Sequence, residues 1–138
     1  MPLRILIADD SRSFRHSLQG LLEQNHEWEV CAEAVDGADA VTKAQQCKPD
    51  IMILDFFMPG MTGVETAQVL GRVFPAMPIL IVTLYITPQL VTQAKGAGVK
   101  GVAQKSDSSQ VVTGIKTLLN KGTFFDSKPV DSIVETFR

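Results

Sequence analysis

A short apolar run followed by an amphipathic stretch recurs five times along the 138 residues, and few architectures accept that pattern. The first run, Leu3-Arg4-Ile5-Leu6-Ile7-Ala8, reads as a strand. Behind Ser11 as an N-cap, Phe14, Leu18, Leu21 and Leu22 fall at helical spacing. Residues 27–34 alternate, with Trp28, Val30, Ala32 and Ala34 on one face and Glu27, Glu29, Cys31 and Glu33 on the other. A strand wetted on one face suits a sheet edge, where Trp28 is expected to pack. Asp36 caps a helix to about Cys47 that turns Ala40, Val41 and Ala44 inward. Pro49 marks the break before Ile51-Met52-Ile53-Leu54, apolar throughout and therefore a central parallel strand. After the loop Met58-Pro59-Gly60-Met61-Thr62-Gly63, Thr62 and Glu65 have capping-box spacing for a third helix. Pro78 opens a fourth strand at 79–82, and Thr87 and Pro88 start a helix to about Lys95. Residues 99–103 form a weaker fifth strand. A last main helix, about 108–120, is expected to bury Val112, Ile115, Leu118 and Leu119. Such alternation predicts an α/β fold, a parallel sheet with helices on both faces.

Composition narrows the function. Apolar residues make up 45% and charged residues 20%, which suits a packed domain and not a disordered chain. A net charge of −2 lacks the basic excess of a dedicated nucleic-acid binder. The apolar runs are too short or interrupted to span a bilayer. Residues 1–10 reach two carboxylates at once and do not read as a signal peptide, so a soluble cytoplasmic protein is expected. Two cysteines, Cys31 and Cys47, have no metal-site spacing and no disulfide-scaffold pattern, and read as packing residues.

In open α/β sheets the site lies beyond the C-terminal ends of the strands. There the chain carries Asp9 and Asp10, then Asp55, Thr83 and Lys105. Each has a bland explanation alone: a capping turn, a loop hydroxyl, a solvated charge. Their common placement is what departs from chance. Three clustered acids repel one another unless a cation sits among them, and a hard divalent ion such as Mg²⁺ resolves that repulsion. Asp55, on the most buried strand, then has the surroundings of a nucleophile toward a phosphoryl group, giving an aspartyl phosphate. Lys105 would hold one phosphoryl oxygen by ion pairing and Thr83 another by hydrogen bonding.

Asp9-Asp10-Ser11, Lys48-Pro49-Asp50 through Asp55, Met58-Pro59-Gly60-Met61-Thr62-Gly63, Thr83 and Lys105 together resemble the receiver domain of two-component response regulators. The likeness runs from about Leu3 to Lys121. Residues 33–40 and Gly122-Thr123-Phe124-Phe125 further resemble the NarL/LuxR-like subfamily, as does Ser106 after the lysine. The resemblance implies a flavodoxin-like sheet of strand order 2-1-3-4-5, with Asp55 as phosphoacceptor. It also implies Mg²⁺ held by Asp10, Asp55 and the backbone carbonyl of Phe57, with Asp9 acting through water. Phosphate would come from a sensor histidine kinase. The face of the fourth helix, fifth strand and fifth helix would serve homodimerisation or output. Self-phosphorylation and self-dephosphorylation are implied, with no turnover of an external substrate.

Three residues depart from the family pattern. Val102 stands where the family's switch aromatic usually lies, with Tyr85 as a partial substitute. Leu84 replaces a small residue, and Phe57 a commonly polar one. Phe57 and Leu84 are expected to exclude water and prolong an aspartyl phosphate. These departures keep open a phosphorylation-independent pseudo-receiver acting as an interaction module. A Mg²⁺-dependent phosphohydrolase of the haloacid-dehalogenase type fits less well, because Ser11 stands two places after Asp9 where that family has a second Asp.

His16 and His26 read as solvated; Arg12 and Arg15 are candidates to lean toward the phosphate crevice, with Arg15 favoured as solvated or paired with an acid. Residues 1–121 are assigned to the receiver and 122–138 to a linker-like tail. In the tail, Val130, Ile133, Val134 and Phe137 predict a short amphipathic helix. Length does not separate a stand-alone protein that acts by docking from a fragment of a longer transcription factor whose DNA-binding domain lies outside this chain, but the linker-like ending favours the fragment. No direct nucleic-acid or membrane contact by these residues is expected.

Overall fold

The computed structural model describes residues 2–125; the helix expected from the tail pattern lies outside them. Five strands alternate with five helices. They run β1 (Leu3–Ala8), α1 (Arg12–Leu22), β2 (Trp28–Ala34), α2 (Gly37–Cys47), β3 (Ile51–Asp55), α3 (Gly63–Val73), β4 (Ile79–Thr83), α4 (Pro88–Gly96), β5 (Gly101–Gln104) and α5 (Ser108–Leu119). All strand pairs are parallel, in the order β2-β1-β3-β4-β5.

Two apolar layers hold the sheet. Ile5, Ile7, Ile51, Ile53, Leu80 and Val82 pack with α1 and α5, while Leu6, Ala8, Met52, Leu54 and Ile81 pack with α2, α3 and α4. β3 is buried at every position, as its unbroken apolar run requires. The caps form where expected. Ser11, Asp36 and Thr87 each accept an amide N–H from the first turn of their helix, and Thr62 with Glu65 closes a reciprocal capping box.

Three local expectations are corrected. The alternation in β2 does not hold along the whole strand, because the register skips Cys31 between Val30 opposite Ile5 and Ala32 opposite Leu6. This β-bulge reverses the faces beyond it. Trp28 and Val30 pack on the α1 side, whereas Cys31, Ala32 and Ala34 pack on the α2 side. The fifth strand begins later than the apolar pattern suggests. The Val99 N–H is drawn back to the Ala94 carbonyl, through a turn with Gly98 at φ +83°, and so closes α4 instead of joining the sheet. On α5 the inward stripe is Val111, Gly114, Ile115 and Leu118, with Val112 and Leu119 only half-buried. Gly114 sets that rotation: a Cβ there would lie 3.2 Å from Leu80 and from Phe124.

The segment after α5 extends the sheet. Phe124 donates its N–H to Lys100 and accepts from the Val102 N–H, bridging in parallel to Gly101 at the outer edge of β5. Phe124 packs on the α5 side and Phe125 on the α4 side, where the Lys95 ammonium lies 4.9 Å from its ring. Among the described residues, no helix is long and apolar enough to cross a membrane.

Candidate functional site

Strand register assembles the site. Ala8 pairs with Leu54, so Asp9 leaves β1 beside Asp55 at the end of β3. Asp55 pairs with Val82, placing Thr83 one residue further along β4, and Thr83 pairs with Gln104, placing Lys105 one residue beyond β5. All five sequence-predicted side chains therefore leave the same edge of a parallel sheet.

The carboxylates of Asp9, Asp10 and Asp55 converge, each offering an oxygen within 4.8 Å of the others. Asp9 is fully buried, Asp55 is 5% exposed, and Asp10 reaches solvent. Lys105 stands between the two buried acids, with Nζ 2.7 Å from Asp9 Oδ2 and 3.3 Å from Asp55 Oδ2. Asp9 Oδ1 accepts the Ser11 N–H at 2.8 Å. Its other oxygen, Oδ2, has the Lys105 charge beside it but no aligned hydrogen bond. A buried carboxylate oxygen left without a directed partner, in a trio of acids, suits a hard divalent cation with oxygen ligands.

The charges are coupled. Burial, and then the neighbouring Asp9, push the Asp55 carboxyl up to about 6, against the pull of Lys105. Burial alone would lower Lys105, but its contacts with Asp9 and the charge of Asp55 outweigh it, holding the ammonium above its ordinary value. The sign of the stability effect follows. The Asp55 carboxyl is more basic folded than unfolded, so its contribution is fully present below about pH 4 and is lost as pH rises through about 6. Asp55→Asn is therefore expected to stabilise the metal-free protein at pH 7 by roughly 1–2 kcal/mol after allowance for solvent screening. Urea unfolding in chelator at pH 7 and pH 4.5 checks this. Equal gains at both pH values would contradict it.

Neighbouring residues fix the loops. Arg15 is buried; it donates from Nη1 to the Asp9 carbonyl at 2.6 Å and pairs with Glu33 at 3.0 Å. Of the readings that the sequence left open for it, pairing with an acid holds, and its bond to Asp9 also draws it to the β1 end of the crevice. The backbone anchor on Asp9 had no sequence signal, because it depends on where α1 lies over the β1 terminus. The buried Thr83 hydroxyl makes long contacts with the Tyr85 backbone, at 3.4 and 3.5 Å. Gln104 carried no signal in the sequence either: its Nε2 donates to the Leu84 carbonyl and to Ser106 Oγ, tying β5 to the loop after β4.

The departures from the family pattern separate. Val102 is buried on the α4 side of the sheet, while Tyr85 is 77% exposed. Phe57 and Leu84 are 67% and 54% exposed, with Phe57 set edge-on to Phe56. The expectation that they exclude water from the site thus rests on two side chains that lie largely in solvent. Among the described residues, neither His16 nor His26 belongs to a cluster of prospective metal ligands.

A parallel 2-1-3-4-5 sheet with an acidic cluster and a lysine at its C-terminal edge defines the class of receiver modules. The model of the response regulator receiver domain matches residues 5–121, and the chain belongs to that family. It is 31% identical to the oxygen regulatory protein NreC of Staphylococcus epidermidis, over 98% of this chain and 63% of that protein. It is 26% identical to the transcriptional regulatory protein DegU of Brevibacillus brevis, over 99% of this chain and 58% of that protein. The chain thus spans less than two thirds of these curated relatives. Among solved structures, a LuxR-family two-component response regulator from an Aurantimonas species is similar at TM-score 0.89 and 28% identity, over 99% of both chains. The receiver domain of a response regulator NarL from Mycobacterium tuberculosis is similar at TM-score 0.79 and 27% identity, over 86% of this chain and 97% of that one.

Proposed function

We propose that this chain is the phosphoacceptor module of a two-component system, with Asp55 taking a phosphoryl group from a phosphohistidine of a sensor histidine kinase. The observation that carries the reading is Lys105 bridging Asp9 and Asp55 within a trio of converging carboxylates. An Asp55 oxygen attacks phosphorus, the P–N bond to the histidine breaks, and the departing imidazole keeps or gains the proton it needs to leave neutral. Asp10, Asp55 and the Phe57 backbone carbonyl would hold Mg²⁺, with Asp9 contributing through water. The ion would supply charge neutralisation for the phosphoryl oxygens. Lys105 exchanges its Asp55 partner for a phosphoryl oxygen, and the Thr83 hydroxyl leaves the Tyr85 backbone to donate to another. The module turns over no external substrate and sheds its own phosphate by hydrolysis.

The output we assign is transcription regulation in the cytoplasm, through a DNA-binding domain outside this chain, with homodimerisation as a route. Residues 1–121 are the receiver in this reading, and 122–138 lead toward that domain. Support comes from the transcriptional regulator among the relatives and from the share of their length left unmatched. Buried Val102 favours a second reading, a phosphorylation-independent pseudo-receiver.

One experiment separates the two. Incubation with Mg²⁺ and acetyl phosphate is expected to add one phosphoryl group by intact mass, lost with chelator and in Asp55→Asn. No adduct from either acetyl phosphate or a phosphorylated kinase would overturn the first reading in favour of the second.

A further inference from the structure

The two cysteines, 16 residues apart in sequence, meet in the fold with their Sγ atoms 2.9 Å apart. Both are free thiols and both are half-buried, so a small solute can reach them. The approach is built from two directions. Cys31 is the extra residue of the β2 bulge and faces α2, and Cys47 is the last residue of that helix. Arg4 holds the Cys47 backbone in place: its Nε and Nη2 donate to the Cys47 carbonyl at 3.2 and 3.0 Å, while Nη1 pairs with Glu29 on β2 at 2.7 Å. One guanidinium thus ties the end of α2 to the strand that carries the other thiol.

A disulfide has sulfurs about 2.05 Å apart. The two thiols therefore need to close by less than an ångström, and nothing stands between them. We propose that Cys31 and Cys47 are a modification site, a dithiol that peroxide converts to a reversible intramolecular disulfide. Nothing in the phosphoacceptor reading requires this pair.

Burial foremost, and then the neighbouring Cys47, push the Cys31 thiol up to about 12, so Cys31 stays protonated at neutral pH. Either thiol can react first with peroxide. Its sulfur bonds to one peroxide oxygen, the O–O bond breaks, and the thiol proton leaves in the first water, giving a sulfenic acid. The second sulfur then bonds to the first and displaces the hydroxyl, which departs with the second thiol's proton as a second water. Two thiols lose two electrons and the peroxide is reduced to two waters. A dithiol reductant reverses the step by exchange. In a reducing compartment such a pair acts as a transient sensor and not as a permanent staple.

The site is remote from the carboxylates. The end of α2 leads into the N-terminal end of β3, whereas Asp55 stands at its C-terminal end. Asp55→Asn should therefore oxidise as the wild type does, so the outcome here is independent of the phosphorylation outcome.

The test treats the full chain with hydrogen peroxide, blocks remaining thiols with iodoacetamide, and reads intact mass. The expected product is lighter by about 2 Da, the two hydrogens lost, carries no alkyl group, and returns to two alkylatable thiols after dithiothreitol. Cys31→Ser and Cys47→Ser should each lose the cross-link and keep one alkylatable thiol. Two fully alkylated cysteines in peroxide-treated wild type, a gain of oxygens without the 2 Da loss, or disulfide dimers alone would each overturn the proposal.

Discussion

Lys105→Met is expected to destabilise the metal-free protein by about 2–4 kcal/mol, and millimolar Mg²⁺ is expected to return most of that loss. Among the described residues, the ammonium is the cation within ion-pair distance of both Asp9 and Asp55, and Asp9 is fully buried. Removing one partner of a buried pair leaves the other charge uncompensated, which costs more than the pair itself contributes. Part of the strain is relieved by protonation, because Asp55 already sits near pH 6 and its carboxyl rises further once Lys105 is gone. A divalent cation bound to the same oxygens replaces the missing charge, so the variant should gain more stability from Mg²⁺ than the wild type does. Phosphorylation by acetyl phosphate should nevertheless fall by roughly 10²-fold, since a positioned donor for the transferring group is missing. Urea unfolding with and without chelator, beside initial rates of adduct formation, reads both effects. A variant as stable as wild type in chelator would refute the bridging role of Lys105.

Gly63→Ala is expected to cost about 2–3 kcal/mol and to slow phosphorylation, although Gly63 carries no functional group. It is the first residue of α3, and a Cβ there would stand 2.6 Å from the Asp55 carbonyl oxygen and 3.1 Å from the Phe56 Cα. Both obstacles are backbone, so they cannot rotate away. α3 would have to retreat or the end of β3 would shift, and Asp55 would move with it. Gly20→Ala is the control. Gly20 lies exposed in α1 with nothing within 4 Å of its would-be Cβ, so alanine should stabilise that helix by about 0.5–1 kcal/mol. Unfolding midpoints that move in the same direction for both variants would show that backbone contact at Gly63 is not what decides its tolerance.

The fold was legible in the sequence because local signals agreed with one another. Ser11, Asp36, Thr62 and Thr87 all cap as their spacing indicates. The wholly apolar run at Ile51 falls in the centre of the sheet. Misreadings arose where a residue's partner is distant in sequence. The alternation from Trp28 to Ala34 is a period-two pattern that a single inserted residue reverses, and only the register against β1 shows the insertion at Cys31. The inward stripe of α5 depends on Gly114 meeting Leu80 and Phe124.

The sequence by itself determined the alternation of elements, and with it the parallel sheet and the set of side chains at its C-terminal edge. Strand and helix periods are local, and a parallel sheet sends every strand terminus to the same side. Tertiary structure alone decided the state of those side chains. Burial depth, the 2.7 Å approach of Lys105 to Asp9 and the lifted Asp55 carboxyl depend on distances and on excluded water, which no residue spacing encodes. The same holds for the two cysteines. Sixteen residues apart, they read as unrelated packing residues, and become neighbours because a bulge and a guanidinium bring a strand and a helix end together.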